Sequence, residues 1–307
     1  MITKVSTKRM SREEWLEIRK KTIGGSDAGA ICGLNPYSSA YRVYADKLSL
    51  IAPQADNEAM RQGRDFEQYV AERFCEETGK KVRRENAILY NSEYPFAHAD
   101  VDRLIVGEDA GLECKTANPL HNPDYLSGSY PDYYYAQCMH YMMVTGKSKW
   151  YLAVLVFQKG LYIFTIERNE EEIAVLADIE KTFYENSIIG KLEPPVDGAP
   201  ATSDAISERF TQSNGESIDL SLYSNEIEQY CRLREQKKEL EKLIDEKLNV
   251  IKSFMQEAER GTCGEHRVVW KTQVRRQFDK KLFAEGHPEI NLDDYMQTST
   301  SRPFKIT

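Results

Sequence analysis

Residues 98–117, HADVDRLIVGEDAGLECKTA, constrain this chain more than any other stretch, because acidic and basic side chains interrupt what otherwise reads as core strand. In a strand, residues i and i+2 share a face. In GLECKT, Glu113 and Lys115 therefore point one way and Cys114 the other. AHADVDRLIV reads as a second strand, with His98, Asp100 and Asp102 on one face. The GEDAG turn suits an antiparallel pair, which predicts that Asp102 lies beside Glu113 and Lys115. Two carboxylates can hold a hard divalent cation such as Mg²⁺. A lysine next to them can orient or deprotonate water, or offset charge on a phosphate. Those are the parts of a phosphodiester hydrolase. An E-x-K triplet by itself is more often a surface ion pair; the upstream Asp102 moves the balance toward a metal site.

The rest of the chain fits a soluble α/β protein. At 307 residues, 41% of them hydrophobic, it can bury a full core. Its longest apolar run, YLAVLVF at 151–157, is too short to span a bilayer, and MITKVSTKRMSREEW lacks an apolar signal core, so a cytosolic protein is expected. Six scattered cysteines without a C-x-x-C pair exclude a zinc ribbon or a disulfide framework, and His98, His121 and His140 lack zinc-type spacing. A net charge of −8 opposes general adhesion to DNA but leaves local basic tracts, RVVWKTQVRRQFDKK at 267–281 and KKVRR at 80–84.

The periodicity predicts a helix opened by a Ser11/Glu14 capping box, then a glycine turn with Ser26 or Asp27 capping a short helix. A long amphipathic helix from about Asn57 to Thr78 follows, then strands near 81–90, 96–106 and 110–116. A helix runs from Pro131 to Gly146, before a strand hairpin around Lys159-Gly160 and another helix. The expected organisation is a mixed-sheet α/β domain over 1–195, a linker over 196–222, and over 223–307 a long helical arm with small terminal strands packing back on the core.

Several of these pieces occur together in one known family. W-x-x-x-R (Trp15, Arg19) with I-G-G-S-D, G-R-D-F-E at 63–67, A-D-V-D-R-L at 99–104, G-L-E-C-K-T at 111–116 and Y-A-Q-C at 135–138 stand in that family's order. The chain resembles the YqaJ-type viral recombinases, relatives of the phage lambda exonuclease within the PD-(D/E)-x-K nuclease superfamily. The resemblance covers about residues 10–190 and implies a restriction-endonuclease-like core. It implies Asp102 and Glu113 as metal ligands with Glu67 completing the site, Lys115 and Gln137 beside the attacking water, and Arg19 with Ser26 gripping a terminal 5′-phosphate. One departure stands out: Arg103 follows Asp102 where the family usually has glycine, which leaves Asp100 as a rival aspartate.

The activity so implied is a Mg²⁺-dependent exonuclease, with Mn²⁺ substituting, that digests linear double-stranded DNA 5′ to 3′ in phage or prophage recombination. A homotrimeric ring, an annealing partner of the RecT or Red-beta type and a place in the host bacterial cytosol accompany it. The alternatives are an endonuclease or single-strand nuclease on the same core, and a non-catalytic DNA-end-binding scaffold.

Overall fold

The computed structural model describes residues 1–53, 56–118, 125, 127–298 and 301–306. It divides into two compact units, Met1–Phe210 and Thr211–Thr307. His121 lies outside the described residues.

The first unit is built on two sheets. One has five strands in the order β3 (Val82–Arg83), β6 (Arg103–Ile105), β7 (Ala110–Ala117), β8 (Lys149–Val156) and β9 (Gly160–Glu167). Its β7–β8 pair is parallel, with Glu113 opposite Leu152, and its other pairs are antiparallel. The smaller sheet runs β1 (Ile2–Ser6), β4 (Ala87–Asn91), β5 (Ala97–Ala99), β2 (Ile23–Gly24). The helices of this unit are α1 (Arg12–Lys20), α2 (Gly25–Ile31), α3 (Ala40–Lys47), α4 (Glu58–Thr78), α5 (Asp132–Thr145), α6 (Glu170–Phe183) and α7 (Pro200–Arg209).

Strand alternation sorts the large sheet into two faces. Ala110, Leu112, Tyr151, Ala153 and Leu155 pack with Val70, Ala71 and Phe74 of α4. Trp150, Leu152, Val154 and Val156 pack with Met139, Met142 and Met143 of α5 in the main core. Covered on both sides, β8 can be a continuous apolar run, KWYLAVLV, with no polar face. On β7 the same alternation sends Glu113 and Lys115 toward α5.

Helix α5 is buried from Ala136 to Thr145, so its polar groups must find partners inside the protein. Gln137 meets Glu113 and Tyr141, and Thr145 donates to the carbonyl of Tyr141. His140 Nδ1 stands 2.8 Å from Glu180 Oε1 on α6, and its Nε2 stands 2.8 Å from the backbone oxygen of His98 on β5. Carboxylate and carbonyl both accept, so both ring nitrogens carry hydrogen. Burial opposes that charge, but the neighbouring Glu180 carboxylate and these hydrogen bonds hold the imidazolium's proton affinity above its usual value.

Local signals behave as their chemistry requires. Ser11 Oγ accepts from the Glu14 amide at 3.2 Å while Glu14 Oε2 accepts from the Ser11 amide at 2.8 Å, closing the capping box. The expected cap of α2 is corrected: Gly24 is the N-cap, and Asp27 reaches back to accept its N–H at 2.9 Å. The expected single strand over 96–106 is two, because the chain leaves the small sheet after Ala99 and enters the large one at Arg103. The expected linker also contains structure. Helix α7 buries Ala201, Thr202 and Ala205, bonds Ser39 through Thr202 at 2.7 Å, and places Arg209 on Tyr41 and Glu193.

In the second unit, α8 (Ser224–Met255) is a helix of 32 residues, none of them buried. A hairpin of β10 (Arg260–Cys263) and β11 (His266–Val269) follows, then α9 (Lys280–Gly286). The strands expected to continue past Val269 and over the last residues are not formed among the described residues; each strand of the hairpin pairs only with the other.

Removing one partner of a fully buried ion pair costs about 3–5 kcal/mol. Glu180→Ala should therefore lower the melting temperature by many degrees. His140 binds its proton more tightly folded than unfolded, so the stabilisation is complete below the unfolded value and fades as pH rises through the higher folded value. Melting curves across that range should show the gap between wild type and variant narrowing at alkaline pH.

Candidate active site

The site begins on β7. Glu113 is buried and Lys115 half-buried, and Lys115 Nζ lies 2.6 Å from Glu113 Oε1. Gln137 Nε2 donates to the same oxygen at 2.7 Å and to the Tyr141 hydroxyl at 2.8 Å. Lys115 also stands 4.9 Å from the centre of the Tyr134 ring. Burial works against its charge, but Glu113 and the ring hydroxyl of Tyr134 outweigh it and push its proton affinity up. The ion pair with Glu113 holds the Lys115 ammonium at the edge of the acid pair.

Asp102 sits in the short passage between β5 and β6. The antiparallel register pairs Arg103 with Leu112, which brings the preceding aspartate over the Glu113 end of β7. Asp102 Oδ2 accepts the Cys114 N–H at 2.8 Å. Burial drives its pKa well above the usual carboxylate range, and the charges of Glu113 and Glu67 add to that effect; Lys115 and the Cys114 amide offset only part of it. Asp100, the rival, faces the same cavity, where its Oδ2 accepts from the Trp15 indole at 2.7 Å.

Arg19, in the last turn of α1, donates from Nη2 to Ser26 Oγ at 2.8 Å, and its guanidinium lies 4.4 Å from the Trp15 ring centre. Its Nε is buried without a partner. Close packing of α2 on α5 sets this geometry. A side chain at Gly25 would come within 2.5 Å of Tyr141, and one at Gly29 within 2.6 Å of Tyr133. Beneath, Lys47 bridges Asp27 at 2.5 Å and the backbone oxygens of Arg19 and Thr22 at 2.8 and 2.9 Å. Burial alone would raise the Asp27 pKa, but Lys47 and Arg19 hold it at about 2.

These groups face one cavity of about 170 Å³. Arg19, Ser26, Asp102, Glu113 and Gln137 all line it, together with Asp100, Tyr141, His98 and the backbone of Gly24 and Gly25. Lys115 reaches it through Glu113. Glu67 is not in the lining: it accepts from Arg103 Nη1 at 2.5 Å, and Arg103, itself buried, also bonds Gln68 at 2.9 Å and the Asp102 carbonyl at 2.6 Å. Among the described residues, no three His, Cys, Asp or Glu side chains are gathered to hold a metal. The pair Asp102 and Glu113 nonetheless fits a cation. Glu113 Oε2 is buried with no hydrogen-bond partner, and the Asp102 charge is disfavoured where it stands. A hard cation would relieve both.

The basic tract KKVRR is less available than its composition suggests, since Lys80 pairs with Glu108 and Arg83 with Glu85. The basic residues of 267–281 are exposed. Gly24 and Tyr141 line the cavity without having been named as site residues, and His98 lines it on the face it was expected to share with Asp102. Trp15 had a signal, its place in W-x-x-x-R, but its indole link to Asp100 needs the fold.

Comparison with known proteins finds relatives of the chain. Residues 14–148, which contain all seven expected site residues, match the YqaJ-like viral recombinase domain. The YqaJ protein of Bacillus subtilis (strain 168) is 37% identical over 286 residues, covering 92% of this chain and 90% of that one. The chain belongs to the YqaJ-like viral recombinase family. Protein D345L of African swine fever virus (strain Badajoz 1971 Vero-adapted) matches the family member locally, 36% identical over 69 residues, 22% of this chain and 20% of its own. The crystal structure of an alkaline exonuclease, LHK-Exo from Laribacter hongkongensis, shares the fold, with a TM-score of 0.50, 19% identity, and coverage of 58% of this chain and 93% of that one.

If the acid pair is poised for a cation, removing one charge should stabilise the metal-free protein. Asp102→Asn keeps an acceptor for the Cys114 amide and should raise the melting temperature in EDTA by a few degrees, about 1 kcal/mol for a domain of this size. Added Mn²⁺ should raise the wild-type melting temperature and leave the variant unmoved.

Proposed function

We propose that this chain is a Mg²⁺-dependent deoxyribonuclease that digests one strand of duplex DNA from a 5′-phosphorylated end during recombination. The observation that carries this reading is the shared cavity: an arginine–serine pair suited to an anion opens onto the same 170 Å³ space as two carboxylates and a glutamine. An anion site beside the hydrolytic groups suits an enzyme that starts at a terminal phosphate, which it can hold while a neighbouring phosphodiester is cut.

A divalent cation between Asp102 and Glu113, Mg²⁺ or Mn²⁺, would supply charge neutralisation at the scissile phosphate and acidify the attacking water. The chain's own residues do the rest. Lys115, held cationic between Glu113 and Tyr134, orients the water and offsets charge growing on the phosphoryl oxygens. Gln137 fixes Glu113 through one amide hydrogen and Tyr141 through the other. The Arg19 guanidinium, stacked on Trp15, takes a terminal phosphate in a charge-assisted contact, with Ser26 adding a hydroxyl. Asp100 serves by holding Trp15 under Arg19, so Asp102 takes the ligand role. In this reading Glu67 acts electrostatically, from its ion pair with Arg103.

A net charge of −8 suits a homotrimeric ring whose channel alone is basic, and the 3′ strands left behind would pass to an annealing protein of the RecT or Red-beta type in the host bacterial cytosol.

The test is a linear duplex labelled separately at each 5′ and 3′ end, incubated with Mg²⁺ beside a closed circle. Release of 5′ label with the circle intact is expected; cutting of the circle or activity in excess EDTA would defeat the reading. Lys115→Ala should lower the rate by roughly a thousandfold, the scale of losing one preorganised charge at the reacting centre. Its binding of DNA ends in Ca²⁺ should persist.

A second measurement concerns the end itself. Duplexes with a 5′-phosphate should be degraded far faster than 5′-hydroxyl duplexes, and Arg19→Ala should reduce that ratio about ten- to a hundredfold. Equal wild-type rates on both ends would remove the phosphate pocket.

A further inference from the structure

His98 is a fully buried histidine whose outer ring nitrogen is left over. Its Nδ1 is 2.8 Å from the Thr22 hydroxyl, whereas Nε2 has no hydrogen-bond partner. A buried unsatisfied nitrogen is costly, and native proteins keep one where a ligand or solvent is to meet it. The ring lines the same cavity as Arg19 and Ser26. What lies in front of Nε2 is the bare Cα of Gly24: a Cβ there would sit 2.9 Å from His98 Nε2 and 3.6 Å from Arg19 Nη2. The backbone gives no reason for glycine, because φ is −103° and any residue adopts it. The missing side chain instead lets the backbone pack on the imidazole edge, and a Cβ there would crowd the one ring nitrogen left without a partner, on the side that faces Arg19.

The position of His98 is fixed from behind. Its carbonyl accepts from His140, which Glu180 holds in turn. Its ring is pinned by Thr22, whose own backbone oxygen accepts from Lys47. Burial, with the charges of Lys47 and Arg19, keeps the ring neutral.

We propose that His98 is a third binding group for the terminal phosphate: its Nε2–H donates to a phosphoryl oxygen that enters over Gly24 and is shared with Arg19. This rests on the 5′-phosphate reading above. Phosphoryl oxygens accept only, so the proton must be on Nε2 and the Thr22 hydroxyl must donate to Nδ1.

Side-chain geometry supplies the test. The amide nitrogen of Gln can stand near the place of Nε2, and that of Asn only near Nδ1. His98→Gln should keep most of the wild-type preference for 5′-phosphate over 5′-hydroxyl ends, while His98→Asn should reduce the ratio about tenfold or more, as for a lost hydrogen bond to a charged group. Gly24→Ala, which keeps the imidazole but puts a Cβ about 2.9 Å from its Nε2, should reduce it comparably by blocking that nitrogen. A binding readout runs in parallel: fluorescence anisotropy with a short 5′-phosphorylated duplex in EDTA should show the same order, and melting curves report whether each variant folds. Gly24→Ala decides the matter should His98→Asn fail to fold.

If Arg19→Ala loses the preference while His98→Asn and Gly24→Ala keep it, this inference fails and the terminal-phosphate reading survives. If His98→Gln and His98→Asn lose it equally while Gly24→Ala keeps it, the ring is structural and the inference fails. If wild type shows no preference, the terminal-phosphate reading fails first and takes this with it.

Discussion

Burying an acid pair is the constraint around which the first unit is organised. An uncompensated buried carboxylate costs several kcal/mol, and here Asp102 and Glu113 line one cavity. The compensation comes from three directions. Strand β7 supplies Lys115 two residues on and the Cys114 amide on its edge, and α5 supplies Gln137. Glu113 Oε2 is left bare and Asp102 remains strained toward its neutral form. The protein keeps this local instability inside a core that is otherwise saturated with contacts, which is how a site can remain reactive without loosening the fold.

Helix α5 makes that possible because it carries two separate polar systems along one buried rod. Gln137 and Tyr141 turn to the acid pair, and His140 turns to Glu180 and the carbonyl of His98. The small residues of α2 then let the helix close on α5 until Gly25 touches Tyr141. Ser26 thus arrives at the cavity by backbone packing, and its hydrogen bond from Arg19 at 2.8 Å is the consequence. Ser26 and Gln137 come together through this helix–helix contact, while Arg19 reaches the same cavity from α1.

Period-two reasoning was enough to place Glu113 and Lys115 on one face and Asp102 beside them, because that hairpin is local and its register follows from a short turn. Gln137 was legible only through motif resemblance, since nothing local says which buried amide faces an acid. The split of 96–106 into two strands was only half legible: the apolar alternation of 97–102 breaks at Arg103, but the change of sheet depends on where β4 and β7 lie. Helix α7 was hidden for a related reason. Proline and glycine flank it, and its few buried groups are small: Ala201, Thr202 and Ala205. In KKVRR the partners Glu108 and Glu85 decide the outcome, and one of them is far along the chain.

Arg103 shows how a departure from a family pattern can be read in physical terms. Glycine after the aspartate would matter if that residue needed a positive φ, and Arg103 is instead an ordinary strand residue opposite Leu112. With no backbone demand to meet, the position is free to carry a long side chain. The guanidinium passes behind the site to Glu67, Gln68 and the Asp102 carbonyl. It supplies a positive charge where α4 brings a third acid close to the pair, and it fixes the backbone oxygen of the aspartate whose side chain faces the cavity. Asp102 therefore keeps its place at the cavity, with Glu67 paired to Arg103 beside it.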